Sequence, residues 1–434
     1  METTSSKHRR NASLRSTRPR SSTKGPLDMP NDMDSEAPTR TSQDQTPTAA
    51  GQPTSSARSS VLSTFSLPVH RNLSFLLRPD IYHPLVQLDI PPALRSDFPK
   101  LPESPSLQPL LLTLDELLNG GHFLLAAHIS ALILTSSAVS PNDHVNIFSL
   151  FYTRLACLEL SGKTLLAAQE VKAMEDLSSA FYYVDGDTEN RSHHLVPWPL
   201  RVLAVRLQSI GFGDARRGIT GLYELGLEAR GQISRPEIGH EEKEMWRSRL
   251  SDLGIRVVNA LIEMGDLDAA RRSLNNMQAS QNNGTGIARM ALLYLRIGDL
   301  DAAKILLEAS PRVAGGILYP LLSMAEGRFT DAVTEWRDLY NGPGGKDNEV
   351  LLMQNLAVCL LYVGKLSESR EILETLVERS NSFQSLTLNL ATIYELCLEN
   401  PHHLKVNLTQ RVADQEPSRL ISRERPSSTF KITN

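Results

Sequence analysis

The chain has 434 residues, of which 41% are apolar and 6% aromatic, so a sizeable aliphatic core is available and a large aromatic-rich β-sandwich is disfavoured. A formal net charge of -4 excludes a nucleic-acid binder of the basic-stripe kind. Cys157, Cys359 and Cys397 each fall in an apolar helical run without CxxC spacing, which excludes a disulfide framework and predicts buried, reduced thiols in a cytosolic protein.

Residues 1–66 are rich in Ser, Thr, Pro and Arg and lack a periodic apolar face. Such a stretch buries too little surface to offset its ordering entropy, so a disordered basic arm is expected. Ser and Thr beside Arg suit regulatory phosphorylation there, a membrane-surface role is the second option, and plain solvation is the simplest. Pro19, Pro26 and Pro30 break any amphipathic presequence helix. No secretory apolar region and no run of 18 or more apolar residues occurs, so membrane association is expected only through partners.

In residues 67–107, apolar clusters such as Leu73, Phe75, Leu76 and Leu77 alternate with Pro79, Pro84, Pro91, Pro92, Pro99, Pro102 and Pro105, which forbid long helices. Two readings stand: an extended arm packed on a neighbouring surface, or a loose linker. From 108 to 400, apolar residues recur every three to four positions between short Gly-, Asn- or Asp-bearing turns, the pattern of successive amphipathic helices. Between 172 and 250 the regularity fails. Gly211 is followed five residues later by Arg216, so an irregular pair with inserted loops is expected, with 181–194 as a long loop. Residues 401–434 lose the pattern and are expected to form a flexible tail.

Gly265-Asp266-Leu267-Asp268-Ala269-Ala270 recurs identically at Gly298-Asp299-Leu300-Asp301-Ala302-Ala303, 33 residues on, and Asn355-Leu356-Ala357 returns as Asn389-Leu390-Ala391 after 34. Both offsets match the period of a tetratricopeptide helix pair. The shared template is Gly, an apolar residue two later, a small residue five later and a larger one nine later. Gly265, Gly298, Gly327 and Gly364 start good copies, the last with Ser369 as its small residue; Gly121 and Gly162 start looser ones, with Ser130 and Val171 at the ninth position. The glycine ends one helix in a left-handed conformation, and the small residue lets the next helix approach. The fold class is therefore all-α: a tetratricopeptide-type helix-turn-helix solenoid behind a disordered N-terminal segment.

No motif carries chemistry. Ser161-Gly162-Lys163-Thr164 ends like a phosphate loop, but Cys157 stands where that loop needs its first glycine, so it reads as a repeat turn. Gly342 to Lys346 lacks the spacing and reads as a flexible inter-helix loop. His193-His194 and His402-His403 are chain neighbours, which rarely converge on one metal. No catalytic residue, metal ligand or cofactor is expected, and the chain is not read as an enzyme. Asn355 and Asn389 fall on first helices, where an amide can bond an extended peptide backbone, and Arg256 and Arg289 hold that position in preceding repeats. These four are the expected partner contacts; the alternative for the two Asn is that they only solvate the groove.

Trp246-Arg247-Ser248-Arg249-Leu250, Asn355 to Leu366, Asn389 to Leu396 and Leu195 to Leu203 resemble the subunit 12 family of the trafficking protein particle complex, over roughly residues 110–400. The resemblance implies a non-catalytic scaffold in a vesicle-tethering complex of endoplasmic reticulum-to-Golgi transport and autophagy. It implies partners among the other subunits, an indirect link to a Rab GTPase, no nucleic acid, and a cytoplasmic location peripheral to Golgi or ER-Golgi membranes. The competing expectation is a tetratricopeptide co-chaperone that clamps acidic chaperone tails. That clamp needs Lys and Asn four apart on one first helix, and no adjacent pair of helices supplies the Lys.

Overall fold

A computed structural model describes residues 71–103, 106–185, 192–278, 284–309, 316–343 and 345–432. The expected disordered arm, 1–66, lies outside the described residues. Among the described residues, sixteen α-helices follow one another as antiparallel pairs. The first four pairs are α1/α2 (Leu107–Asn119, Phe123–Thr135), α3/α4 (His144–Leu160, Thr164–Glu170), α5/α6 (Trp198–Gly211, Ala215–Ile233) and α7/α8 (His240–Glu263, Leu267–Gln278). The remaining four are α9/α10 (Gly284–Ile297, Leu300–Ala309), α11/α12 (Leu318–Ala325, Phe329–Asn341), α13/α14 (Glu349–Tyr362, Leu366–Glu378) and α15/α16 (Gln384–Cys397, His402–Ala413). Each helix packs on the next along the chain, so the molecule is an all-α solenoid of the tetratricopeptide type.

The repeated hexapeptide explains how each pair turns. Gly265 and Gly298 both sit at φ 79°, where a Cβ would be strained. The next residue closes the outgoing helix: Asp266 N–H donates to Leu261 O (3.0 Å) and Asp299 N–H to Tyr294 O (3.0 Å). The same aspartates open the incoming helix, their Oδ1 atoms accepting from Ala269 N–H (3.0 Å) and Ala302 N–H (3.2 Å). One dipeptide thus ends one helix and caps the next.

All six template glycines have positive φ, and the small residue five later is fully enclosed in every copy: Ala126, Ala167, Ala270, Ala303, Ala332 and Ser369 each have 0% exposure. The residues nine later, including Leu274, Leu307, Trp336 and Leu373, are buried with them. The apolar residue two later is less uniform. Phe123 is buried, Phe329 stacks on Tyr362 of the next pair with centroids 4.3 Å apart, and Leu267 is exposed.

The irregular segment differs from expectation in its register. The left-handed residue is Gly213 (φ 66°), not Gly211, and counting from it gives Ala215, Gly218 and a buried Leu222. Gly218 is the small residue; a Cβ there would lie 2.7 Å from the Ser209 Cβ on α5. The template therefore continues through α5/α6, displaced by two. Nor is 181–194 a plain loop. β1 (Tyr183–Asp185) and β2 (Ser192–His194) form an antiparallel hairpin in which Tyr183 faces His194.

Residues 71–103 pack along the first two pairs. Leu73 and Leu76 are fully buried, and Leu73 N–H donates to Pro141 O (2.9 Å). A buried ion pair clamps the segment. Arg154 Nε and Nη2 donate to the Glu170 carboxylate (2.9 and 2.6 Å), Nη2 also reaches His83 O (2.9 Å), and His83 N–H donates back to Glu170 (2.9 Å).

The tail corrects the expectation of fraying. Beyond α16, Glu424 is 2% exposed and accepts from Leu124 N–H and Leu125 N–H (both 3.3 Å), capping the start of α2. Arg423 N–H donates to Gly121 O (2.9 Å), and Ser427 N–H donates to Asp89 O (2.6 Å). One apolar cluster joins Ile90, Leu94 and Leu124 to Leu390, Leu408, Val412 and Phe430, so the last pairs share a core with the first.

Candidate functional site

The two buried thiols offer no nucleophile. Burial pushes the Cys157 thiol up to about 12 and the Cys359 thiol to about 11, so both stay protonated. Cys397, expected to be buried with them, is exposed at the end of α15. Among the described residues no group of three or more His, Cys, Asp or Glu is arranged to hold a metal, and no helix is long and apolar enough to cross a membrane. Ser161 to Thr164 forms the α3/α4 turn, with Gly162 at φ 74°.

What the fold does present is a groove of about 520 Å³ along the first helices α5, α7 and α9, with α6 behind it. Val202, Ile210, Leu222, Ala260 and Met264 give it an apolar wall. Arg206, Arg256, Glu263 and Arg296 carry charge around it. Arg256 holds Asp252 one turn back on α7 (2.7 Å), and Arg296 donates to Asn259 Oδ1 across the pairs (2.6 Å). An exposed ion pair such as Arg256–Asp252 contributes little to stability.

Of the four expected contact residues, Arg256 lines this groove, whereas Arg289, Asn355 and Asn389 lie outside it. Arg289 is exposed on α9. Asn355 on α13 is half-buried, and its Nδ2 donates to Leu351 O of its own helix (2.9 Å), which leaves the amide oxygen for a ligand. Asn389 is half-buried on α15. All four occupy first helices, as the repeat register requires.

A second, larger cleft of about 620 Å³, between the β1/β2 hairpin and α5 to α7, was outside the sequence expectation. The signal for it was present. Trp198, Arg201, Trp246 and Arg249 all belong to stretches that stand apart from the repeat template.

The chain is similar to trafficking protein particle complex subunit 12 from mouse, with 25% identity over 314 residues, 64% of this chain and 38% of the relative. The human subunit 12 matches at 25% over 304 residues, 62% of this chain and 40% of the relative. The chain thus spans about two fifths of the curated relatives it matches. No protein-family model matches it. Among solved structures, the tetratricopeptide domain of P58(IPK) aligns with 70% of this chain and 92% of its own, at 12% identity and a TM-score of 0.19. The fold assignment therefore rests on the hairpin geometry described above.

Proposed function

We propose that the chain is a non-catalytic scaffold subunit of a multisubunit vesicle-tethering complex, acting in endoplasmic reticulum-to-Golgi transport and autophagy and binding its partner subunits through the helical repeats. The similarity to subunit 12 over nearly two thirds of the chain carries this reading. Arg256, Arg289, Asn355 and Asn389 all fall on first helices, the position from which stacked helix pairs can present side chains to a partner, and this supports it as a protein-binding array. On this reading the protein is cytoplasmic and peripheral to Golgi or ER-Golgi membranes, reaches them through the complex, and connects only indirectly to a Rab GTPase.

Native affinity purification of the full chain from its own cells, followed by gel filtration and mass spectrometry, tests the reading. Trafficking subunits should co-elute in fixed ratio. Recovery of the chain as a free monomer would sink it.

A further inference from the structure

Trp198 opens α5 and Trp246 lies in the second turn of α7, and their rings meet edge to face with centroids 5.3 Å apart. Arg249, one turn beyond Trp246, sets its guanidinium 4.4 Å from the Trp246 ring centre and 5.1 Å from that of Trp198. Arg201, one turn beyond Trp198, is 6% exposed and gives both terminal nitrogens to the Glu228 carboxylate. Glu228 is thereby occupied. Arg249 makes no ion pair among the described residues, and its guanidinium lies against the two indoles.

The buried side-chain atoms of the cleft that lack a partner share one sign. Arg201 Nε and Trp246 Nε1 are buried without hydrogen-bond partners, and both are donors. Trp246 is 8% exposed, so its indole N–H is withheld from bulk water. Burial, then the neighbouring Arg201, hold the Arg249 guanidinium below its ordinary range, and Glu228 and Glu242 only partly offset this. Glu224 and Glu242 are exposed carboxylates at the edge. A guanidinium in no ion pair, beside two unmet donors, is a site that an added acceptor would complete.

We propose that this cleft docks a short polypeptide segment of a partner protein through an Asp or Glu carboxylate. The carboxylate pairs with Arg249 within reach of the orphaned Arg201 and Trp246 donors. An apolar neighbour in the segment lies against Val196, Leu225 and Ile238. A planar guanidinium held between rings is pre-oriented for two parallel bonds to a carboxylate, which a lysine in its place could not supply. The cleft's volume suits a few residues rather than a helix face. This site is independent of the tethering reading, since its ligand is defined by the donors and not by the complex.

Arrayed N-acetylated hexapeptides, varied position by position and probed with the purified full chain, test it. Asp and Glu should be enriched at one position. The Asn or Gln counterpart of the best peptide should bind at least about tenfold more weakly by fluorescence polarisation. Arg249→Gln should remove that acid preference while leaving the amide peptide's affinity unchanged, and Arg249→Lys should fall between, with helix content by circular dichroism confirming both folds. Enrichment of basic or purely apolar peptides, no binding, free glutamate binding as tightly as the peptide, or an acid preference that survives Arg249→Gln would each overturn the proposal.

Discussion

Ala303 is enclosed where α10 crosses α9, with no exposed surface and no slack for a larger side chain. Overpacking such a site typically costs about 1–3 kcal/mol. Ala303→Leu should therefore lower the unfolding free energy measured by urea titration by that amount, while Asp301→Asn, on the exposed face of the same helix, should leave it within about 0.5 kcal/mol. Arg154 and Glu170 are both 1% exposed, and each satisfies the other. Arg154→Met leaves a buried carboxylate alone and should destabilise the chain by about 3–5 kcal/mol, whereas Arg154→Met with Glu170→Leu should recover much of that loss. Equal losses in the single and double variants would contradict this account. His194 is neutral by geometry: its Nδ1 accepts from Val196 N–H (3.0 Å), while Nε2 meets Leu177 O (2.9 Å). Burial and then Arg201 lower its pKa, and Tyr182, Tyr183 and Glu228 complete its surroundings. Below its ordinary value of 6.5 the unfolded chain takes up the proton before the native one does. Stability contributed by this residue is thus complete above that pH and declines as pH falls through the lower folded value; His128 shifts in the same direction. Melting curves on either side of pH 6.5 should show the decline, and His194→Gln should flatten it.

At the level of elements, the helix pairs were legible because their determinants are local. Gly265 and Asp266 carry the whole turn in two adjacent letters, and Ala270 is set by helical periodicity alone. The α5/α6 pair reads as irregular in sequence because its small residue is a second glycine, Gly218, and because Gly211, inside α5, imitates a helix end two residues early. The hairpin at 183–194 gave no warning, since strands of three residues leave no measurable alternation. The Trp–Arg cleft was readable only in pieces. Trp198 and Trp246 are far apart in sequence, and only the packing of α7 beside α6 and α5 brings them into contact. Likewise the choice between packed arm and linker for 67–107 turned on Arg154 and Glu170, which lie in helices well downstream of His83.

Across the whole molecule, the feature hidden from sequence is the junction of the two ends. Glu424 reaches the first turn of α2 from 300 residues away, and no periodicity announces a contact of that span. Its carboxylate answers both the free N–H groups and the positive end of the helix. Glu424→Ala should cost about 1–3 kcal/mol and should expose residues 415–432 to limited proteolysis, while the α7–α10 region stays protected. Cleavage at the same rate in both proteins would show that the tail is held elsewhere. Gly121 is the counterpart on the other side: a Cβ there would fall 2.2 Å from Ile421 O, so Gly121→Ala should loosen the same junction.

An open stack of repeats offers a bare apolar face at its far end, onto which another copy can slide to begin a filament. Here that face is filled by Phe430 and by Ile90 and Leu94 of the same chain. A second copy stacking end to end would have to displace these side chains before it could meet the last described pair.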